Sequence, residues 1–336
     1  MVAGFDRLRG PDEAGRNVRI GIDRQVQFAG RIVLVLAIAA AIYRGHPVGA
    51  SEVAPMKRMN MQVLKQAADT VRPLHHELGV PGPSDWLANH DEPGQTFQAY
   101  VASGPVTPTD ARRTIVILPL GAFSGNQRRI LDLTCDFMKR FYGVPVRVQS
   151  PRPLSAIPAH ARRRHPAWGV RQLLTRYVLD EILKPRMPGD AIAHLALTAC
   201  DLWPGKGWNF VFGQASLRHR VGVWSIHRNG DPDAGDDGFR LCLMRTVKTA
   251  VHEVGHMLSM RHCIAYECCM NGSNHRQEAD RRPLWLCPEC MAKVCWATRT
   301  PPAPRYRRLA DFCAEHGLQR EENVFRASRR MLKSGE

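Results

Sequence analysis

Residues 252–263 read His-Glu-Val-Gly-His-Met-Leu-Ser-Met-Arg-His-Cys. His252 and His256 are four apart, so on a helix both rings lie on one face, about one turn from each other. Two imidazoles so placed can hold one zinc ion, with Glu253 beside the place of a metal-bound water. His262 follows six residues after His256, the offset of the third ligand in the extended pattern HExxHxxGxxH. Three neutral nitrogens leave the fourth position of a tetrahedral ion open, which separates a catalytic zinc from a structural one. A plain amphipathic helix with buried or solvated histidines explains His252 and His256, but not His262 at that offset. The glycine of the pattern is Ser259 here. A left-handed turn at that point costs a serine about 1 kcal/mol, which leaves the ligand assignment standing.

Cys263 directly follows His262, Cys268 comes five residues later, and Cys287-Pro-Glu-Cys290 forms a Cys-x-x-Cys knuckle. Paired thiolates of this kind build closed four-sulfur zinc sites. Cys269 adjoins Cys268 and can take its place, and Cys295 is a further spare; the spacing favours Cys268. Cys135, Cys200, Cys242 and Cys313 are scattered through apolar stretches and read as reduced core residues.

The run from His252 to Cys263, then Cys268, Met270 and Cys287-x-x-Cys290, closely resembles the archaemetzincin (archaelysin) metallopeptidases of the metzincin clan, whose pattern is HExxHxxGxxHC, CxM, CxxC. The resemblance extends to Ser273-Asn274, to residues 278–283, to residues 208–215 and, more faintly, to Asp85-Trp86-Leu87. It covers about residues 75 to 315, with Ser259 and a last gap one residue shorter as the departures. It implies a catalytic zinc on His252, His256 and His262, Glu253 as general base, Met270 as a floor beneath the metal, and a second, structural zinc on Cys263, Cys268, Cys287 and Cys290.

These residues need a scaffold. Residues 113–120 read as a buried strand, 126–142 as an amphipathic helix, 144–148 as a strand, 170–183 as an amphipathic helix and 191–197 as a strand. Residues 209–212 and 221–227 read as further strands, and the resemblance makes 221–227 a candidate edge strand for an extended peptide. Residues 229–238 are a Gly/Asp loop, and 246–260 form the metal-bearing helix. The alternation predicts an α/β fold with a mixed sheet and packed helices. The resemblance implies that the sheet is metzincin-like, with an active-site helix and a small zinc-stabilised C-terminal subdomain, which shows few regular elements. The expected divisions are a leader at 1–50, an irregular Pro-rich extension at 51–110 with one helix at 56–71, a catalytic domain at 111–315 and a charged tail at 316–336. Within the catalytic domain an upper subdomain spans 111–262 and a lower one 263–315.

Composition narrows the partners. The formal net charge is +16, from 47 Lys and Arg against 31 Asp and Glu. Such an excess attracts anions in general. The one dense cluster, His160 to His165, reads as a Pro-bounded loop and lacks the interleaved aromatics of a nucleic-acid platform, so no specific nucleic acid is expected. Residues 32–43 are an apolar run of twelve. That is too short to span a bilayer, so no stable membrane span is expected. The run fits the core of a secretory signal, with small residues at 48 and 50 suiting cleavage after Ala50 and a periplasmic or secreted location. The mixed charges of residues 1–30 fit such a leader poorly, and a buried N-terminal helix in a cytoplasmic protein is the alternative.

The expected chemistry is hydrolysis of a peptide or protein substrate by a zinc-bound water that Glu253 activates, with two zinc ions per chain. Two other classes compete. A zinc-binding interaction protein without turnover is opposed by the presence of every ligand and of Glu253. A basic nucleic-acid-binding zinc module leaves the histidine pattern unexplained. Nothing in the spacing gives Tyr266 or His275 a role. Oligomeric state and cleavage preference carry no signal.

Overall fold

The computed structural model describes residues 59–333. The leader, its apolar run and the proposed cleavage after Ala50 lie outside the described residues. So do the first residues of the expected 56–71 helix.

Helix α1 (Met61–Val71) starts where the Asn60 side chain accepts from the Gln62 amide, and it buries Leu64, Ala68 and Val71. Two short helices follow, α2 (Trp86–Asn89) and α3 (Phe97–Ala102). Strand β1 (Thr114–Leu120) is buried along nearly its whole length, as its unbroken apolar run requires. Helix α4 (Gly125–Tyr142) opens on a reciprocal cap between Ser124 and Gln127 and closes at Gly143 in the left-handed region. Next come β2 (Val146–Val148), β3 (Arg162–Arg164) and β4 (Arg171–Leu174), followed by α5 (Thr175–Tyr177), which runs on through Val178–Leu183 as a wider π-type turn. Strands β5 (Ala191–Thr198), β6 (Asp201–Trp203), β7 (Gly213–Ala215) and β8 (Val221–Ser225) complete two sheets.

The larger sheet has the order β2-β1-β5-β8-β7, parallel except for β7, which pairs antiparallel with β8. Alternate side chains of its strands face opposite sides. Ile115, Ile117, Leu195 and Leu197 meet the core under α4 and the metal-bearing helix, while Leu118, Leu120, Ala196 and Val223 meet Val178, Ile182 and Leu183. The smaller sheet, β3-β4-β6, is an annex beside it. An α/β architecture with a mixed sheet is therefore what the chain adopts.

The metal-bearing helix α6 (Gly235–Met257) is 23 residues long, eleven more at its start than the sequence pattern marked. Asp236 and Asp237 in its first turn complement the helix dipole. After it come α7 (Arg276–Arg281), α8 (Pro288–Thr298), α9 (Pro302–Glu315) and α10 (Gln319–Lys333).

Several expectations are corrected. The C-terminal part is rich in helix, because Pro288 and Pro302 sit in first turns, where a missing N–H costs nothing. The charged tail needs no such correction: residues 319–333 form the helix its sequence suggests, packed on α9 with Phe325 buried. Residues 171–174 are a strand and not the first turn of a helix, since they pair with both β3 and β6. Residues 162–164 of the basic cluster form β3 and not a loop. The strand expected at 209–212 reduces to one bridge, Val211 to Leu202, and pairing in the larger sheet begins at Gly213. The 221–227 segment is interior to that sheet; β7 is the edge. Finally, the 59–110 stretch contributes Leu64, Val71, Phe97 and Tyr100 to the main core. Among the described residues no helix is long and apolar enough to cross a membrane.

Candidate active site

Helix α6 carries His252, Glu253 and His256 into the interior, where each is at most 1% exposed. The helix ends so that the chain can return. Ser259 adopts φ 66°, its amide donates to His256 O (2.8 Å), and the Met260 amide reaches back to Gly255 O (3.0 Å). This pair of bonds closes a helix on a left-handed residue, a role usually given to glycine. The Ser259 hydroxyl accepts from the Val106 amide (3.1 Å) and donates to Leu217 O (3.4 Å). His262 then lies against the other two rings, with centroids 5.3 Å from His252 and 4.9 Å from His256. One nitrogen from each of the three rings lies within 4.8 Å of the others.

The hydrogens on these rings follow from their outer partners. His252 Nδ1 faces Cys269 O (2.9 Å), His256 Nδ1 faces Met260 O (2.7 Å), and His262 Nδ1 faces Glu92 Oε1 (2.7 Å). A carbonyl or carboxylate oxygen only accepts, so each Nδ1 carries the hydrogen and each Nε2 keeps a lone pair. Arg282 Nη1 also lies 3.2 Å from His252 Nδ1, but it has its own acceptor in Asn271 O. The Nε2 atoms of His252 and His256 are 3.0 Å apart. Two lone pairs so close repel unless a proton or a cation lies between them. A proton is disfavoured: burial, then the His256, Arg282 and His262 charges, hold His252 well below the ordinary imidazole value, and burial foremost takes His256 down to about 3. Neutral, preoriented imidazoles facing one point are the donor set a divalent zinc ion fits.

Glu253 is fully buried, and neither carboxylate oxygen has a hydrogen-bond partner. Burial pushes its carboxyl up to about 8. Such a group is costly to retain unless a cation stands beside it. Gly213 of β7 packs directly on it: a Cβ there would come within 2.5 Å of Glu253 Oε1. Met270 lies beneath the helix, where its sulfur would meet a Cβ on Gly255 at 2.6 Å.

The four cysteines also come together. The sulfurs of Cys263, Cys268, Cys287 and Cys290 lie within 4.8 Å of one another, all four residues are buried, and none is in a disulfide. The Met270 and Cys287 amides point at Cys268 Sγ (3.4 and 3.3 Å), and the Cys290 amide at Cys287 Sγ (3.4 Å). Amides aimed at sulfur favour thiolates. Hydrogen bonds from the other three thiols pull Cys263 well below the ordinary thiol value, whereas burial pushes Cys268 and Cys287 well above it. Four converging sulfurs fit a closed zinc site, whose ion takes the place of the thiol protons. Cys269 turns away, its sulfur toward Lys248 O (3.7 Å), and Cys295 lies against Met291. Both stay protonated, pushed up by burial to about 11.

The sequence assigns Glu92 and Gly213 no role, although the likeness at residues 208–215 spans Gly213. A lone glutamate 170 positions from its partner carries no spacing signal. The faint likeness at Asp85-Trp86-Leu87 did mark its segment, since Trp86 Nε1 donates to Glu92 Oε1 (2.7 Å). Burial opposes the Glu92 carboxylate, but the His262 and Trp86 hydrogen bonds outweigh it and hold the carboxyl below its ordinary value. His275 lies in another cluster with Asp85 and Glu278, where each carboxylate already accepts from Arg281, Trp86 or Asn274.

Comparison with known proteins adds the following. The sequence profile described as Peptidase family M54 matches residues 176–295, a stretch that holds all seven converging histidines and cysteines and Glu253. Archaemetzincin-2 of Pongo abelii is 32% identical over 305 residues, covering 81% of this chain and 84% of its own length. Archaemetzincin-2 of Homo sapiens aligns with the same identity and coverage. Among solved structures, an archaemetzincin from Methanopyrus kandleri matches with a TM-score of 0.46 at 29% identity, over 58% of this chain and 99% of that one.

Proposed function

The chain belongs to the archaemetzincin family and is a zinc metallopeptidase, and on that premise we propose that it cleaves peptide bonds at His252, His256 and His262 with Glu253 as general base. The observation that carries this reading is the convergence of three preoriented imidazoles beside a buried carboxylate with no partner of its own. A zinc ion held there supplies an acidified water and a polarised substrate carbonyl. Glu253, ionised next to a divalent cation, takes the proton of the attacking water and hands it to the leaving amine. Cys269 O, Met260 O and Glu92 keep the three rings in one tautomer and one orientation. We assign a second zinc ion to Cys263, Cys268, Cys287 and Cys290, with a purely structural task.

The edge strand offers a place for the substrate backbone. Ser225 donates to Phe212 O and Ser216 to Val221 O, so the alternation of an antiparallel pair turns the main-chain groups of Gly213 and Ala215 away from β8. An extended peptide added to that side passes Glu253 where Gly213 leaves room.

Glu253→Ala tests the base. The variant should keep the zinc content of the parent by elemental analysis and lose hydrolysis of a peptide library by about 100-fold or more. Cleavage at near-parent rate would remove Glu253 from this role.

A further inference from the structure

The segment ahead of the first strand reaches the proposed catalytic centre at the His262 ring, where Glu92 takes Nδ1 and Trp86 lies edge-on. We propose that Glu92 is a positioning residue for the third histidine, held by a clamp of residues 86–97 that fixes the turn from Ser259 to Ile264. The proposal rests on His262 being a zinc ligand.

The contacts of the clamp are specific and lie on both sides of that ligand. The Gln95 side chain donates to Ser259 O (3.2 Å) and accepts from the Arg261 amide (3.1 Å). Gly94, at φ 63°, lies so close to Ile264 that a Cβ would come within 2.7 Å of it. Glu92 Oε1 accepts from His262 Nδ1 between these points. The same oxygen accepts from Trp86 Nε1, which fixes the carboxylate. Trp86 is itself locked. It stacks on His90 (3.6 Å between centroids), meets His262 edge-on (5.4 Å), and lies where a Cβ on Gly272 would touch it at 2.4 Å. The segment is tied down beyond this by Lys293, which donates to Gln95 O, and by Glu289, which accepts from the Phe97 amide (2.8 Å).

Two features separate positioning from packing or blockade. First, the carboxylate touches Nδ1, the nitrogen turned away from the metal, so it supports the ligand and does not compete with the ion. Second, the Glu92 side chain is 4% exposed, and its other oxygen is buried without a partner. A packing role needs only one neutral acceptor. A full carboxylate in that place raises the electron density of the imidazole and so strengthens its bond to a cation, while fixing ring orientation. The third histidine needs this more than the others: His252 and His256 ride on α6, whereas His262 stands on irregular chain.

The test measures zinc affinity at the histidine site by titration against a chromophoric chelator. It compares the full chain with Glu92→Gln, Glu92→Ala and His262→Ala, and reads cysteine-site zinc separately by its resistance to the same chelator. The expected order is parent, then Glu92→Gln about 3- to 10-fold weaker, because the amide keeps an acceptor but not the charge. Glu92→Ala should follow at about 10- to 100-fold weaker. Cysteine-site zinc should be unchanged in all. Cobalt substituted at the histidine site should show a shifted visible absorption in Glu92→Ala that Glu92→Gln largely restores. If both Glu92 variants bind zinc within twofold of the parent while His262→Ala does not, the positioning role is overturned and the metal site stands. If His262→Ala also binds like the parent, the ligand reading itself fails. Weakening shared equally by the cysteine site would reduce Glu92 to a structural residue. Should Glu92→Ala fail to fold, Glu92→Gln alone decides by the same twofold criterion.

Discussion

Ser259 occupies a backbone conformation that glycine adopts freely and an L-residue resists, which makes its replacement a quantitative test of how the third ligand is delivered. At φ 66° the side chain costs about 1 kcal/mol relative to glycine. Against this, its hydroxyl accepts from Val106 N at 3.1 Å, a bond contributing about 1 kcal/mol, and makes a longer contact to Leu217 O that contributes little. The two terms nearly cancel, so serine is tolerated. Ser259→Ala keeps the strained backbone and loses the hydroxyl, and should be about 1 kcal/mol less stable than the parent. Ser259→Gly loses the same bond, relieves the strain and loosens the unfolded chain, and should fall within about 0.5 kcal/mol of the parent. Urea unfolding at fixed free zinc reads both as midpoint shifts at unchanged slope, with bound metal held constant across variants. An alanine variant as stable as the parent would show that the hydroxyl compensates nothing. A glycine variant more stable by over about 1 kcal/mol would show the same from the other side.

Gly213→Ala places a methyl group 2.5 Å from Glu253 Oε1 and must push the base aside; turnover should fall about 100-fold with metal content unchanged, and unaltered turnover would sink the placement of Glu253. Cys287→Ser combined with Cys290→Ser should lower the metal content by at least one ion per chain and destabilise the fold, and an unchanged count by elemental analysis would remove the second site. His75 has both ring nitrogens buried without partners, and burial, with the neighbouring His76, lowers it to about 4. The unfolded chain takes up that proton from about pH 6.5 downward and the folded chain only near 4, so stability falls across this window by at most about 1.4 kcal/mol per pH unit. His75→Leu should flatten the stability–pH curve of the zinc-loaded protein between those limits, and an identical slope in the two proteins would refute the assignment.

What the sequence disclosed was decided by how strictly chemistry ties residue type to spacing. Imidazoles one helical turn apart and sulfurs in a knuckle are spacings that bring donors together, so the grouping of His252, His256 and His262 and that of the four cysteines were legible in the sequence. The central strands β1 and β5 were legible for a similar reason: a strand buried on both faces needs an unbroken apolar run. The first half of α6 was hidden by the glycines and aspartates of its opening turn, which read as loop residues, although the aspartates here favour the helix start. Helix α8 escaped notice because it is buried on all sides and so has no apolar stripe. Strand β7 is only three residues long, too short for alternation to register, and the edge was therefore assigned to its neighbour. Glu92 and Gly213 act through tertiary proximity alone.

The histidine and cysteine clusters are not independent parts. Residues 262–271 supply His262, Cys263, Cys268, the Cys269 carbonyl that orients His252, and Met270 beneath the helix, yet they form no helix or strand. Internal bonds help: Cys263 N donates to Met270 O, and Asn271 spans Cys263 O, Tyr266 O and Cys268 N. Ordering ten residues of irregular backbone costs about 10–20 kcal/mol, more than a few hydrogen bonds near 1 kcal/mol each can offset. Burial of Tyr266, Cys268, Cys269 and Met270 offsets part of that cost, and a four-sulfur zinc site would add about 10–16 kcal/mol in folding free energy. In the proposed two-metal state the direction of dependence follows. Loss of the cysteine metal frees the third histidine and the carbonyl behind the first, so the histidine site loosens with it. Loss of the histidine metal leaves the cysteine cluster tied through α8 and its own amide–sulfur bonds.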